Sequence, residues 1–216
     1  MSKLVGQLIQ ALDNPIVWHT SRWLLNLAFG LYRKRFRLLN HWGILDGQPS
    51  VLDIGCGIGQ YAALSRGPYL GIDLDPRYIA HARRRYRHSD RAFRAVDVTG
   101  LWQESSSFDL VLLVDFLHHL DDEQAVTVLS RAGRLSGGLV ASFEPLKQQS
   151  NRLGRWIIDH DRGAHIRPLD DLHGLFERAG LAISRSDELY LGPIQTRAIL
   201  CRKDTTAMAD GGQRAA

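Results

Sequence analysis

Val51-Leu52-Asp53-Ile54-Gly55-Cys56-Gly57-Ile58-Gly59 decides how the rest of the chain is read. Apolar, β-favouring residues around one acid run straight into three glycines at alternate positions. Such a run reads as a short buried strand ending in a loop where backbone rather than side chain meets a ligand. Glycine has no Cβ to hold another molecule away, and it enters the left-handed region at little steric cost. Three in five positions make a poor helix or strand and a good ligand cradle.

Working outward, apolar runs and helical patterns alternate on both sides of this stretch. A strand over 51–54 follows Gly47-Gln48-Pro49, and a short helix is expected over 60–64, ended by Arg66-Gly67-Pro68. Further strands are expected over 69–73, 92–96, 109–114 and 137–143, with helices over 76–88 and 123–135 between them. Pro76 suits the first position of its helix, and Asp75 suits the N-cap. After a longer charged insertion over 145–168, a helix over 169–179 is closed by Gly180. Strands over 181–184 and 194–202 then meet through Leu191-Gly192-Pro193. The pattern predicts an α/β fold: a doubly wound, mostly parallel seven-stranded sheet whose last strand is antiparallel.

Ligands of such sheets bind beyond the carboxyl ends of the strands, where the winding reverses. Here the expected strands end in Asp53 with the glycines, Asp73, Asp97, Asp115 and Glu144. Five polar tips on one edge are the strongest functional signal in the chain.

The remainder bounds the class. A chain of 216 residues, 44% hydrophobic and 23% charged, can bury an ordinary core. Residues 1–48 read as an N-terminal helical cap carrying Trp18, Trp23 and Phe29, and 204–216 as a disordered tail. The cap suits a lid, plain packing, or peripheral contact with a membrane. No stretch reaches the roughly 20 apolar residues of a membrane span. Cys56 and Cys201 match no metal spacing, so no metal is expected and a reduced, cytoplasmic setting is. The net charge is +4, with basic runs at Arg33-Lys34-Arg35 with Arg37 and Arg83-Arg84-Arg85 with Arg87. Both read as solvated helix faces. Aromatic platforms beside them are sparse, which disfavours nucleic acid as a partner.

The glycines at 55, 57 and 59 do not match the Gly-x-Gly-x-x-Gly spacing for a dinucleotide, and Asp53 is awkward beside a pyrophosphate. The pattern Asp-x-Gly-x-Gly-x-Gly resembles the S-adenosylmethionine (SAM) loop of class I, Rossmann-like methyltransferases of the small-molecule type. The resemblance covers roughly 49–202, including Gly71-Ile72-Asp73-Leu74-Asp75, Ala95-Val96-Asp97-Val98, and Phe108 to Asp115 with His118-His119-Leu120. It implies a SAM-binding domain over 49–203. In that domain Gly55, Gly57 and Gly59 let the backbone approach the cofactor, and Asp53 lies near its methionine amino group. Asp73 takes the ribose hydroxyls, Leu74 and Val98 flank the adenine, and Asp97 accepts from its amino group. Asp115 joins the cofactor edge. Asp97 also reads as a simple turn residue, and Asp53 and Asp73 as caps of loop amides.

The resemblance implies methyl transfer, with His119, His118 and Asp115 as candidates for catalysis. The Asp/Asn-Pro-Pro-aromatic motif of nitrogen methylation is absent at Asp115-Phe116-Leu117-His118, and no Pro-Cys nucleophile is present. The insertion supplies Glu144, Arg155, His160, Arg162 and His165 as candidate acceptor-binding groups. A small, partly apolar acceptor methylated at oxygen is expected, as in secondary or lipid metabolism. RNA methylation, a non-catalytic SAM-binding protein and a dinucleotide oxidoreductase are the competing readings.

Overall fold

The computed structural model describes residues 30–100, 104, 107–161 and 163–202. The bulk of the expected N-terminal cap, the 204–216 tail and Arg162 therefore lie outside the described residues. The described chain runs α1 (Leu31–His41), β1 (Val51–Ile54), β2 (Tyr69–Asp73), α2 (Pro76–Arg85), β3 (Arg91–Ala95) and β4 (Phe108–Val114). It continues with α3 (Asp122–Leu135), β5 (Ser136–Pro145), α4 (Arg152–Asp159), α5 (Leu169–Arg178), β6 (Ala182–Leu191) and β7 (Ile194–Arg202).

The seven strands form one sheet in the order β3-β2-β1-β4-β5-β7-β6. β1 pairs in parallel with both β2 and β4, so the winding reverses at its carboxyl end. β7 is antiparallel to both β5 and β6, as the sequence suggests. Successive side chains of a strand point to opposite faces, and the core divides accordingly. Leu52, Ile54, Ile72, Val111 and Leu113 pack with Val128 and Leu129 of α3 and Leu172 and Phe176 of α5. Val51, Tyr69, Leu110, Leu112 and Phe143 pack on the other face with Leu39 of α1 and Ile79 and Ala82 of α2. Covering both faces is what buries every residue of β1.

Local chemistry sets the helix ends. Asp75 accepts the Arg77 N–H at 2.8 Å and Pro76 opens α2. Asp121 and Gln124 form a reciprocal capping box on α3. At the end of α5, Gly180 has φ +74° and the Leu181 N–H returns to the Phe176 carbonyl.

Two elements depart from expectation. The helix over 60–64 is reduced to a 3₁₀ turn at Ala62–Leu64. Arg91 reaches across from β3 to take the Ala62 and Ser65 carbonyls, which ends the turn. A Cβ at Gly67 would stand 2.1 Å from the Gln48 carbonyl oxygen, so the chain after the turn runs directly against the loop before β1. The other departure is β6, expected over 181–184. It spans ten residues because β7 pairs with it as far as Leu191↔Ile194, across a two-residue connection. None of the helices searched among the described residues is long and apolar enough to cross a membrane.

Candidate active site

The tip of β1 bends into the glycine loop because the Gly55 and Cys56 N–H groups both donate to the Ile72 carbonyl, at 2.8 and 3.0 Å. Gly55 has φ +74°, and a Cβ there would lie 2.3 Å from the Phe116 ring. Side-chain-free backbone is obligatory at that point.

A cavity of about 600 Å³ opens at the reversal of the winding, within the roughly 300–1,000 Å³ typical of ligand sites. Asp53, Gly55, Gly57, Asp73, Leu74, Asp97, Val98, Asp115 and His119 all line it. Asp53 is 1% exposed and accepts the Tyr69 hydroxyl at 2.5 Å. Burial pushes its carboxyl up to about 7, with the Tyr69 hydrogen bond opposing and the neighbouring Asp73 charge adding. Asp73 accepts the Gly57 N–H at 2.8 Å and the Asp75 N–H at 2.9 Å. It does hold loop amides, with the Leu74 N–H as a third donor. Burial raises it as well. Leu74 is 70% exposed at the cavity wall, whereas Val98 is buried. Asp97 takes the Thr99 N–H at 2.9 Å and the Thr99 hydroxyl at 2.5 Å, and these bonds hold it below the usual carboxylate range. Its turn role is thus present alongside its place on the cavity wall.

The side of the cavity next to β4 contains a residue that the sequence reading placed in solvent. Arg35, in the basic run of α1, is 2% exposed and lines the cavity. Its guanidinium forks onto Asp115, with Nη1–Oδ2 at 2.9 Å and Nη2–Oδ1 at 2.5 Å, and Nη1 also donates to the Tyr61 hydroxyl at 2.9 Å. Burial works against this charge, but the Asp115 charge and Tyr61 more than restore it. Asp115 itself has φ +51°, rare for a residue with a Cβ. The missed signal is helical phase: Arg35, Leu39 and Trp42 stand at i, i+4 and i+7, and all three are buried. Arg33 and Arg37, and the run at 83–85 with Arg87, are exposed as expected.

The groups proposed for acceptor binding are mostly elsewhere. Glu144 is 2% exposed and does not line the cavity. Its Oε1 accepts the Phe116 and Leu117 N–H groups at 3.0 and 2.8 Å, and its Oε2 lies 2.7 Å from His118 Nδ1. A buried carboxylate needs such partners, and here they are the turn Leu117–His119. His118 is buried off the cavity, and only His119 of the pair lines it. Arg155 is exposed on α4. His160 turns back to the Trp156 carbonyl at 2.8 Å, and its ring stacks on Trp156 with centroids 4.7 Å apart. His165 is exposed, and its backbone N–H donates to the His118 carbonyl at 3.0 Å. Arg167, 8% exposed, is a further structural clamp: it donates to the Leu117, Leu120 and His165 carbonyls and pairs with Asp122. Among the described residues no group of three or more His, Cys, Asp or Glu is placed to hold a metal ion.

Residues 51–136 match a family model described as a methyltransferase domain. An uncharacterized methyltransferase of Mycobacterium tuberculosis is 34% identical over 100 residues, covering 44% of this chain and 50% of that protein. The 27-O-demethylrifamycin SV methyltransferase of Amycolatopsis mediterranei is 28% identical over 169 residues, covering 68% and 60%. The chain spans about half the length of the first of these relatives. Magnesium protoporphyrin IX methyltransferase from Synechocystis, solved with bound SAM, shares the fold at TM-score 0.59 and 18% identity, over 78% of this chain and 76% of that one. Residues 51–136 thus match a methyltransferase domain, and the described chain has the fold of a methyltransferase solved with S-adenosylmethionine bound.

Proposed function

We propose that the chain transfers the SAM methyl group to a hydroxyl of a small, partly apolar acceptor. The observation that carries this reading is the company kept in one cavity. Bare loop backbone, the acids Asp53, Asp73 and Asp97, exposed Leu74 and the ring of His119 all face the same roughly 600 Å³. An acid raised to about 7 beside bare backbone suits a cationic ligand, whose charge favours the ionised form of Asp53. An acceptor of this kind is also in keeping with the rifamycin-directed relative.

In this reading Gly55 and Gly57 leave room for the cofactor, and Asp73 accepts from its ribose with the acceptor capacity not used by the Gly57, Leu74 and Asp75 N–H groups. Leu74 and Val98 flank the adenine, Asp97 accepts from its amino group, and Asp53 stands toward the methionine amino group. The bound cofactor supplies a methyl group already activated by its sulfonium, so the chain's task is alignment, worth roughly 7–11 kcal/mol of barrier. A hydroxyl acceptor also has to lose its proton. His119 is the titratable ring on the cavity wall, and a ring nitrogen takes that proton as the new carbon–oxygen bond forms. The Arg35–Asp115 pair closes the neighbouring wall in a fixed geometry.

Incubating the full chain with isotope-labelled SAM and fractionated metabolite extract, then reading labelled products by mass spectrometry, tests the proposal. A labelled methyl ether or ester on a compound of low molecular mass is expected. Label found only on RNA, or on no product at all, overturns it.

A further inference from the structure

Four large apolar side chains are exposed among the described residues, and only Leu74 belongs to the cavity. The other three, Leu153 at 57%, Trp156 at 56% and Tyr190 at 43%, meet at one corner of the molecule. Leu153 and Trp156 stand three residues apart on α4, so they share a face of that helix. Gly154 and Ile158 turn its other face into the fold, where a Cβ at Gly154 would stand 2.5 Å from the Pro193 carbonyl oxygen. The Asn151 side chain donates to the same carbonyl at 2.7 Å, which fixes the start of α4 against the β6–β7 connection. Tyr190, just before that connection, accepts a hydrogen bond from Ser150 and donates one to Glu188. Single exposed apolar side chains are ordinary, but three on adjoining elements form a patch.

The rim of this patch is basic. Arg152 and Arg155 are exposed on α4, Lys147 is exposed ahead of it, and the Lys34 ammonium of α1 donates to the Tyr190 carbonyl at 2.7 Å. Against these cations stand Asp159, at the end of α4, and Glu188, whose carboxylate is taken up by Tyr190 and Gln195. An apolar centre with a cationic rim decides between occupants. A second copy docked two-fold through this face would crowd two sets of Arg152, Arg155 and Lys147 around one axis. An anionic bilayer instead meets the guanidinium groups with phosphate oxygens, takes Leu153 toward its acyl boundary and holds Trp156 and Tyr190 at headgroup level. We propose that the exposed face of α4, with Tyr190 and its basic rim, is a docking surface for an anionic lipid bilayer. Contact is with one leaflet, since the eight residues of α4 are far short of a span. It does not depend on the reading of the acceptor, because none of these side chains lines the cavity.

Cosedimentation of the full chain with vesicles of phosphatidylcholine and phosphatidylglycerol, beside vesicles of phosphatidylcholine alone, tests the proposal. The wild-type chain should sediment with the anionic vesicles. Its binding should fall steeply from about 0.1 to 1 M salt, as the screening length drops from about 10 to 3 Å. Leu153→Ser with Trp156→Ser should weaken binding about tenfold or more, and Arg152→Gln with Arg155→Gln about thirtyfold at low salt. SAM affinity by calorimetry should be unchanged in both double variants, which shows that the fold and the cavity are intact. Wild-type binding no stronger to anionic than to neutral vesicles overturns the proposal. So does equal vesicle binding by wild type and both variants, which would place the contact elsewhere in the chain. A concentration-dependent dimer that the Leu153/Trp156 variant abolishes would assign the face to a second copy and overturn it too. Failure to bind SAM would count against the cavity reading and leave the vesicle result to decide this one.

Discussion

Around β1, β2 and β3 the acids of the cavity are bonded within 16 residues of themselves in sequence, whereas at the ends of β4 and β5 the acids, one on the cavity wall and one behind it, are bonded across the fold. Asp97 binds Thr99, Asp73 binds Asp75 and Gly57, and Asp53 binds Tyr69, all within 16 residues. On the other side Glu144 binds His118 from 26 residues away, and Arg35 binds Asp115 from 80. The first group lines the cavity, and the second is largely consumed in holding the wall. An acid thus does different things on the two sides: on one it faces the cavity, and on the other it holds the wall.

Variants can break or sharpen this contrast. The largest effect is expected for Arg35→Met. It takes the guanidinium away from Asp115, whose side chain is only 18% exposed, and losing one partner of such a pair costs about 3–5 kcal/mol. Thermal unfolding should fall by on the order of 10 °C. An unchanged midpoint would show that the pair carries no structural load. Asp73→Ala should do the reverse, weakening SAM on the order of 100-fold by calorimetry with a much smaller loss of stability. If instead it unfolds the chain, the loop amides were its main purpose and the contrast fails.

Asp53→Asn sharpens the comparison through pH. The folded state holds the Asp53 proton up to about 7, while the unfolded chain releases it near 3.8. The folded form therefore binds more protons between those values, and this group's contribution to stability falls as pH rises through that window, then stays flat. A cationic ligand must displace the proton below pH 7, so affinity should rise with pH up to about 7. The Asn variant should lose both dependences and bind roughly tenfold more weakly at pH 8. Affinity that stays flat between pH 5 and 8 in the wild-type chain would remove Asp53 from ligand contact. The smallest effect is expected for Asp97→Asn, a loss of about threefold in affinity, because the side chain is exposed and one hydrogen bond there contributes only about 0.5–1.5 kcal/mol. A loss as large as that of Asp73→Ala would make Asp97 a principal contact.

The same division decides what could be read from sequence. The glycine loop, the strand tips, the Asp75 cap and the Gly180 stop each depend on residues a few places apart, and local propensity is enough to find them. Arg35 was hidden because a run of four cations in five positions reads as a wet helix face. Only the phase shared with Leu39 and Trp42 separates Arg35 from Arg33 and Arg37. Glu144 was legible as a polar strand tip, but its partners lie on a turn after another strand, and no spacing announces them. The short helix after the glycine loop was misjudged for a similar reason. It is cut off by the side chain of Arg91, 29 residues away from Ala62. Trp18, Trp23 and Arg162 fall outside the described residues, and their expected parts in acceptor binding stay proposals.

Calorimetry of the full chain with SAM, beside NAD, tests the central claim most directly. One SAM per chain, net proton release on binding below about pH 7 that fades above it, and no heat with NAD are expected. Binding of the dinucleotide, with none of SAM, would contradict it.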